Sequence, residues 1–248
     1  MTPFRRYLAP AMLAFVSLAG AGCGSDLVAT VPTFRVRLLN AAPGSPRCYL
    51  SLNGAVAGDT LAFPAAGRYV ALTNFNQQIR ILSEAGAVLA TTGPAPIAFA
   101  PGQDNTIFLV GNPGFGYKLL TSIDNRHLGI PAGEVDLRVY HLVPNIQADV
   151  RLILDGALYG DLSQVVVDAP YNPVVAGAHT FKFISVSDTS LVYVSRTVNL
   201  PGGQRCTVAL TGLRGDTPPL DVTVVVDSAV AAAPGMTSQP ASAHNLLK

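Results

Sequence analysis

The chain has 248 residues, 49% of them hydrophobic and only 12% charged, with a formal net charge of +1. A typical globular chain carries about 25% charged residues, so Ser, Thr, Asn, Gln and the backbone must supply the solvated surface. So even a balance provides no field to recruit nucleic acid or an anionic surface, and 23 Gly with 19 Pro favour many turns over long helices.

Residues 1–22 read as a signal peptide. Arg5 and Arg6 supply a basic start, and Tyr7 to Ala19 form an apolar run interrupted by Pro10. That run is short of the roughly 20 residues that span a bilayer and suits a signal-peptide core followed by small residues. Gly20-Ala21-Gly22-Cys23 then resembles a bacterial lipobox, with Gly20 where such motifs usually carry Leu, Val or Ile. The resemblance implies cleavage after Gly22 and lipidation of Cys23, a diacylglyceryl group with a fatty acyl chain such as palmitate. Several chains make a stable anchor where one does not. Gly24, rather than Asp, after the cysteine is similar to outer-membrane lipoproteins of Gram-negative bacteria and implies a cell-envelope address. The alternative is an ordinary signal peptide with Cys23 incidental. Residues 23–33 read as the lipidated cysteine and its tether.

Phe34 to Asp59 (FRVRLLNAAPGSPRCYLSLNGAVAGD) and Val135 to Asp161 (VDLRVYHLVPNIQADVRLILDGALYGD) run in the same order. Each goes from an alternating strand through a Pro turn to a second alternating strand, then Asn-Gly or Asp-Gly. Pro144 lies 101 residues after Pro43, Gly156 lies 102 after Gly54, and Gln204 lies 101 after Gln103. The chain therefore holds two copies of one domain, 34–124 and 135–228, joined by a linker at 125–134. The tail, 229–248, is Ala, Pro and Ser with little large apolar content and reads as disordered.

The period is two throughout. Phe34, Val36 and Leu38 alternate with Arg35, Arg37 and Leu39, and Val150, Leu152 and Leu154 with Arg151, Ile153 and Asp155. Alternation aims one set at a core and the other at solvent or a second layer. Asn53-Gly54 and Asp155-Gly156 predict two-residue hairpins, whose turn positions need positive φ. Short strands at this spacing predict an all-β chain of two tandem immunoglobulin-like β-sandwiches with roughly seven strands each.

Arg138-Val139-Tyr140-His141, then Pro144, then Leu152-Ile153-Leu154-Asp155-Gly156, is similar to the bacterial domain of unknown function 4397 family, whose pattern is RVVHASPDAPAVDVYVDG. The first repeat keeps the spacing from Asn40 through Pro43 and Pro46 to Asn53-Gly54. Asn40 stands in place of the motif His, Gly44 and Asn145 in place of the turn Asp, and Gln147 in place of the second Pro. The resemblance implies a tandem β-sandwich lipoprotein of the envelope and no particular activity.

Candidate chemistry is sparse. His141 fits either a ligand contact beside the Pro144 turn or a strand-end histidine bonding a loop carbonyl; with no second His or Cys at metal-ligand spacing, the loop contact is expected. Asp59 and Asp161 occupy matching positions and fit either a carboxylate binding site or two turn residues. Cys48 and Cys206 form an even pair that export would allow to join as a disulfide. Their parity points both inward, each into its own repeat, which predicts two buried thiols unless the cores meet. Gly111 to Gly116 is glycine-rich but precedes a strand, not the helix that a phosphate cradle needs. No nucleophile, base and orienting group assemble, and no metal or cofactor is expected. The sequence thus predicts a non-enzymatic envelope lipoprotein. It would be anchored in the membrane by lipid and would present its two domains to an envelope protein or polymer. The alternative is a small-ligand or ion site between the two domains.

Overall fold

The structure is a computed structural model that describes residues 31–124, 129–164 and 169–227. Cys23 lies outside the described residues, as do the signal peptide and the tail. The first repeat holds β1 (Phe34–Asn40), β2 (Cys48–Leu52), β3 (Ala55–Leu61), β4 (Ala65–Ala66), β5 (Val70–Leu72), β6 (Asn76–Gln77), β7 (Ile79–Ser83), β8 (Val88–Thr91), β9 (Ile97–Ala98), β10 (Asp104–Asn112) and β11 (Gly116–Ile123). The second holds β12 (Glu134–His141), β13 (Val150–Leu154), β14 (Ala157–Leu162), β15 (Asn172–Val175), β16 (Gly177–Ser185), β17 (Val192–Leu200), β18 (Gln204–Thr211) and β19 (Asp221–Val226). The described residues are all-β and contain no helix.

Among the described residues each repeat has two main sheets, in the same order, and the first adds a two-stranded piece, β6 with β9. In the first repeat β11-β10-β1-β4 make one sheet, with β5 also on β1, and β3-β2-β7-β8 make the other. In the second, β15-β12-β18-β19 and β14-β13-β16-β17 correspond. The two main sheets of each repeat thus have eight strand positions among the described residues, against the seven expected. In the first repeat the fourth position is split into β4 and β5 on either side of Gly67, whose amide bonds Leu38 O at 2.8 Å, and this short, Ala-rich piece gives no alternation to read. The two-residue hairpins stand at Asn53-Gly54 and Asp155-Gly156, with φ of 49° and 86°, and 51° and 86°. Both positions of each turn are left-handed, the backbone that matches strand twist.

The innermost pairs are parallel: β1 with β10, and β12 with β18. Parallel strands are covered on both faces, and these four are buried nearly end to end. On one face Phe34, Val36 and Leu38 join Leu50, Ile79, Ile81, Ile107 and Leu109 in the first core. Val135, Leu137 and Val139 join Leu152, Phe181, Phe183 and Val208 in the second. Burying each such side chain stabilises by roughly 1.5–3 kcal/mol. On the other face Leu39, Phe108 and Val110 of the first repeat meet Tyr140, Leu142, Ala209 and Val225 of the second in a third cluster. Phe108 and Tyr140 pack with ring centroids 5.2 Å apart. The second layer behind Arg37 and Leu39 is therefore the other repeat.

Candidate functional site

The layer between the repeats carries charge as well as apolar surface. Arg37 on β1 and Arg138 on β12 point into it and are almost wholly buried. Within its own repeat, Arg37 Nε donates to Thr106 Oγ1 at 2.8 Å, and Arg138 Nε donates to Thr207 Oγ1 at 2.6 Å. The parallel register sets both, since Arg37 faces Thr106 across β1 and β10 as Arg138 faces Thr207 across β12 and β18. Each guanidinium then crosses to the other repeat. Arg37 Nη2 donates to Asp227 Oδ1, and Arg138 Nη2 donates to Asp124 Oδ1.

Those carboxylates follow the last strand of each repeat, and each has two further donors. Asp124 Oδ2 accepts from Thr106 Oγ1 and from Tyr69 OH, both at 2.6 Å. Asp227 Oδ2 accepts from Thr207 Oγ1 at 2.5 Å and Tyr171 OH at 2.9 Å. Arg37 lies 4.5 Å from the Tyr69 ring centroid and Arg138 lies 4.6 Å from that of Tyr171. Burial works against the Arg37 charge, but Tyr69, Asp227 and Asp124 outweigh it and its pKa is raised. Burial also raises the Asp124 pKa, against the pull of Arg138 and with Asp227 adding to the rise. Burial keeps Tyr69 and Tyr171 protonated, as donors. Two cations and two carboxylates neutralise one another out of reach of solvent, so the cluster joins the repeats.

A second ion pair repeats with its polarity reversed. Arg35 Nε donates to Asp104 Oδ1 at 2.7 Å between β1 and β10. At the same register in the second repeat, Asp136 on β12 accepts from Arg205 Nε on β18 at 3.1 Å.

None of these residues was singled out from the sequence. The available signal was two arginines, Arg37 and Arg138, placed 101 residues apart inside Leu- and Val-rich strands, with Asp124 and Asp227 closing both repeats.

The residues that were singled out stand apart from one another. His141 ends β12, is buried, and its Nε2 lies 2.9 Å from Ile146 O. Its Nδ1 has no hydrogen-bond partner among the described residues, and burial lowers its pKa. Asn40, at the same place in the first repeat, donates from Nδ2 to Ser45 Oγ at 2.9 Å, so both side chains tie down the following Pro turn. Asp59 accepts from the Arg68 amide at 3.1 Å. Asp161 is bound in a fork by Arg151, at 2.7 and 2.8 Å, which lowers its pKa. The two aspartates lie in different repeats, and among the described residues no group of three or more His, Cys, Asp and Glu is placed to hold a metal. Cys48 and Cys206 are free, buried thiols in different core clusters.

A cleft of about 170 Å³ opens where the β10–β11 hairpin meets the segments after β12 and β14. Lys118 and Phe115 reach it from the first repeat, and Leu142, Pro144, Gln147 and Gln164 from the second. The glycine-rich turn forms its rim. Gly111, at φ 93°, allows the backbone to approach so closely that an added Cβ would sit 2.1 Å from Gly116 O.

Residues 34–151, from β1 into β13, match the model of a family described as Domain of unknown function (DUF4397), the family that the motif resembles. No curated protein matches the chain.

Proposed function

We propose, from the DUF4397 domain that the chain carries, that this protein is a non-enzymatic lipoprotein of the bacterial cell envelope. It is held in the outer membrane by Cys23 and presents two immunoglobulin-like β-sandwiches to an envelope protein or polymer. The observation that carries this reading is the reciprocal cluster between the repeats. Arg37, Arg138, Asp124 and Asp227, with Tyr69 and Tyr171, are buried and bonded to one another. Two arginines and two aspartates of the interior are thus committed to fixing one repeat against the other. A fixed pair of domains at the end of a lipid tether is a display unit, with its hairpins free for contact.

The intact mass of the mature protein, extracted from its native membrane, tests the anchor. A chain starting at Cys23 with added acyl mass supports the lipoprotein. A chain starting elsewhere without lipid removes the anchor and leaves a secreted binding module. Recovery of one envelope component by cross-linking through the hairpins supports the display role.

The cleft at Lys118 favours a second reading, in which the two repeats together bind a small ligand. Ligand-dependent stabilisation of the folded chain separates it from the first.

A further inference from the structure

Along β11 the side chains alternate. Tyr117 and Leu119 pack on the first core. Leu120 enters the cluster between the repeats, Ser122 Oγ accepts from Arg138 at 2.7 Å, and Asp124 takes the same arginine. Lys118 begins this row and reaches the cleft.

Its counterpart in the second repeat is Asp221, which lies 103 residues on, the same spacing that relates Asp124 to Asp227. In the two hairpins Val110 faces Lys118 and Thr211 faces Asp221. Asp221 is neutralised within its own repeat by Arg196 of β17. Among the described residues Lys118 has no ion pair and no carboxylate lines the cleft. The same position therefore carries charge in both repeats, satisfied internally in one and turned toward a cavity in the other.

The remaining lining suits an apolar body with one polar end. Val110 and Leu142 are buried beneath the cleft, and Phe115, 58% exposed at the hairpin tip, stands at its side. Gln164 Nε2 is committed to Val143 O at 2.7 Å. The Gln147 amide has no hydrogen bond among the described residues and offers two N–H donors. The volume of about 170 Å³ is close to the roughly 150 Å³ of a cavity that accepts benzene. It is well below the roughly 300–1,000 Å³ of pockets for larger ligands. The space itself thus suits a small body, and Lys118 disfavours cations.

We infer that the cleft takes a small organic anion, a carboxylate on a single ring or short branched chain, with Lys118 as its charge partner and Gln147 as a further donor. This rests on the second reading above.

The test is titration of the mature chain with benzoate, with benzamide as neutral isostere and inorganic phosphate as bare anion, followed by NMR at the Phe115 ring and the Lys118 side chain. Benzoate should give saturable shifts at both, with benzamide at least about tenfold weaker, as expected for the loss of one charge-assisted bond. Lys118→Gln should weaken benzoate by about the same factor and leave benzamide unchanged, and Lys118→Arg should restore benzoate. Equal binding of benzoate and benzamide, indifferent to Lys118→Gln, overturns the anion assignment but keeps a small-ligand cleft. Phosphate binding as tightly as benzoate overturns the apolar body. No saturable shift with any of the three overturns both the inference and the reading beneath it.

Discussion

Arg37 and Asp227 stand 190 residues apart in the chain and are bonded to each other in the buried layer between the repeats. Arg138 and Asp124 make the reverse bond, so each repeat's arginine is held by the carboxylate that closes the other. Arg138 Nε also lies 3.7 Å from Asp227 Oδ2, which links the two exchanges into one cluster.

Such a cluster matters chiefly when it is broken. Desolvating two ion pairs offsets most of their attraction, but removing one member leaves an uncompensated buried charge, at a cost of about 3–5 kcal/mol. Arg138→Met should therefore destabilise the chain by about that amount in denaturant unfolding, and Arg37→Met by a similar amount. Arg138→Lys keeps the charge but not the fork that reaches Thr207, Ser122 and Asp124 together, and should fall between. Because Asp124 and Asp227 repel each other in one cluster, the double variant Arg37→Met/Arg138→Met, which strips both of their cations, should lose more than the two single losses combined. Strict additivity would mean that the two exchanges are independent.

The polarity reversal between Arg35–Asp104 and Asp136–Arg205 amounts to a natural charge-swap experiment. In both arrangements the arginine also lies against a tyrosine ring, 5.2 Å from Tyr69 and 4.4 Å from Tyr171. Asp104→Arg alone puts two arginines opposite each other and should cost about 2 kcal/mol, the scale of a lost hydrogen bond to a charged group. Adding Arg35→Asp recreates in the first repeat what the second already holds, and thermal unfolding should recover most of the loss. No recovery would show that the surroundings, not the register, select the polarity.

Much of the local architecture was legible in the sequence. Asn53-Gly54 and Asp155-Gly156 announce their turns because few residue pairs accept two successive left-handed positions. The Phe34-Val36-Leu38 row announces its core because a strand alternates. The candidate site was not legible. By the same alternation Arg37 reads as facing either solvent or a second layer, and only the arrival of β12, β18 and Asp227 from the other repeat makes that face an interior. The parallel pairing of β1 with β10 was hidden for a related reason. Asp104 lies 69 residues beyond Arg35, and no local pattern reports so distant a partner.

Gly111 and Gly212 occupy equivalent places in the two hairpins, with φ of 93° and 91°. A Cβ at either would lie 2.1 Å from a carbonyl oxygen, that of Gly116 or Pro219. Gly54, at φ 86°, has nothing within 4 Å of the same atom. Gly54→Ala should therefore cost only the left-handed strain, about 1–2 kcal/mol. Gly111→Ala and Gly212→Ala add a collision with backbone and should cost more, about 3–4 kcal/mol. Urea unfolding of the three variants checks the order, and equal losses would show that the hairpins move aside.

Burial pushes the Cys48 thiol up to about 11 and the Cys206 thiol up to about 12. Only the thiolate reacts appreciably, so both should resist a maleimide in the folded chain and react when it is unfolded. Failure of both to react under denaturing, non-reducing conditions would mean that they are joined.

His141 sets a pH dependence with a definite sign. Burial holds its folded pKa below the ordinary 6.5, although the Ile146 carbonyl and Asp149 nearby oppose the shift. As pH falls below about 6.5 the unfolded chain takes up a proton that the folded chain refuses. The unfolded state then binds more protons, so the stability contributed by neutral His141 is complete above that pH and lost as pH drops toward its folded pKa. Asn40 fills the same position in the first repeat without titrating, which makes His141→Asn the natural control. Wild-type stability should decline between about pH 7 and about pH 5, and the variant should decline less, whatever its stability at neutral pH. Carboxylates such as Asp155 and Asp161, whose pKa values are lowered by their bonds to Thr180 and Arg151, lose their contributions only at more acidic pH. They affect both proteins alike and leave the difference to His141. Parallel curves for wild type and variant would assign the decline to another group.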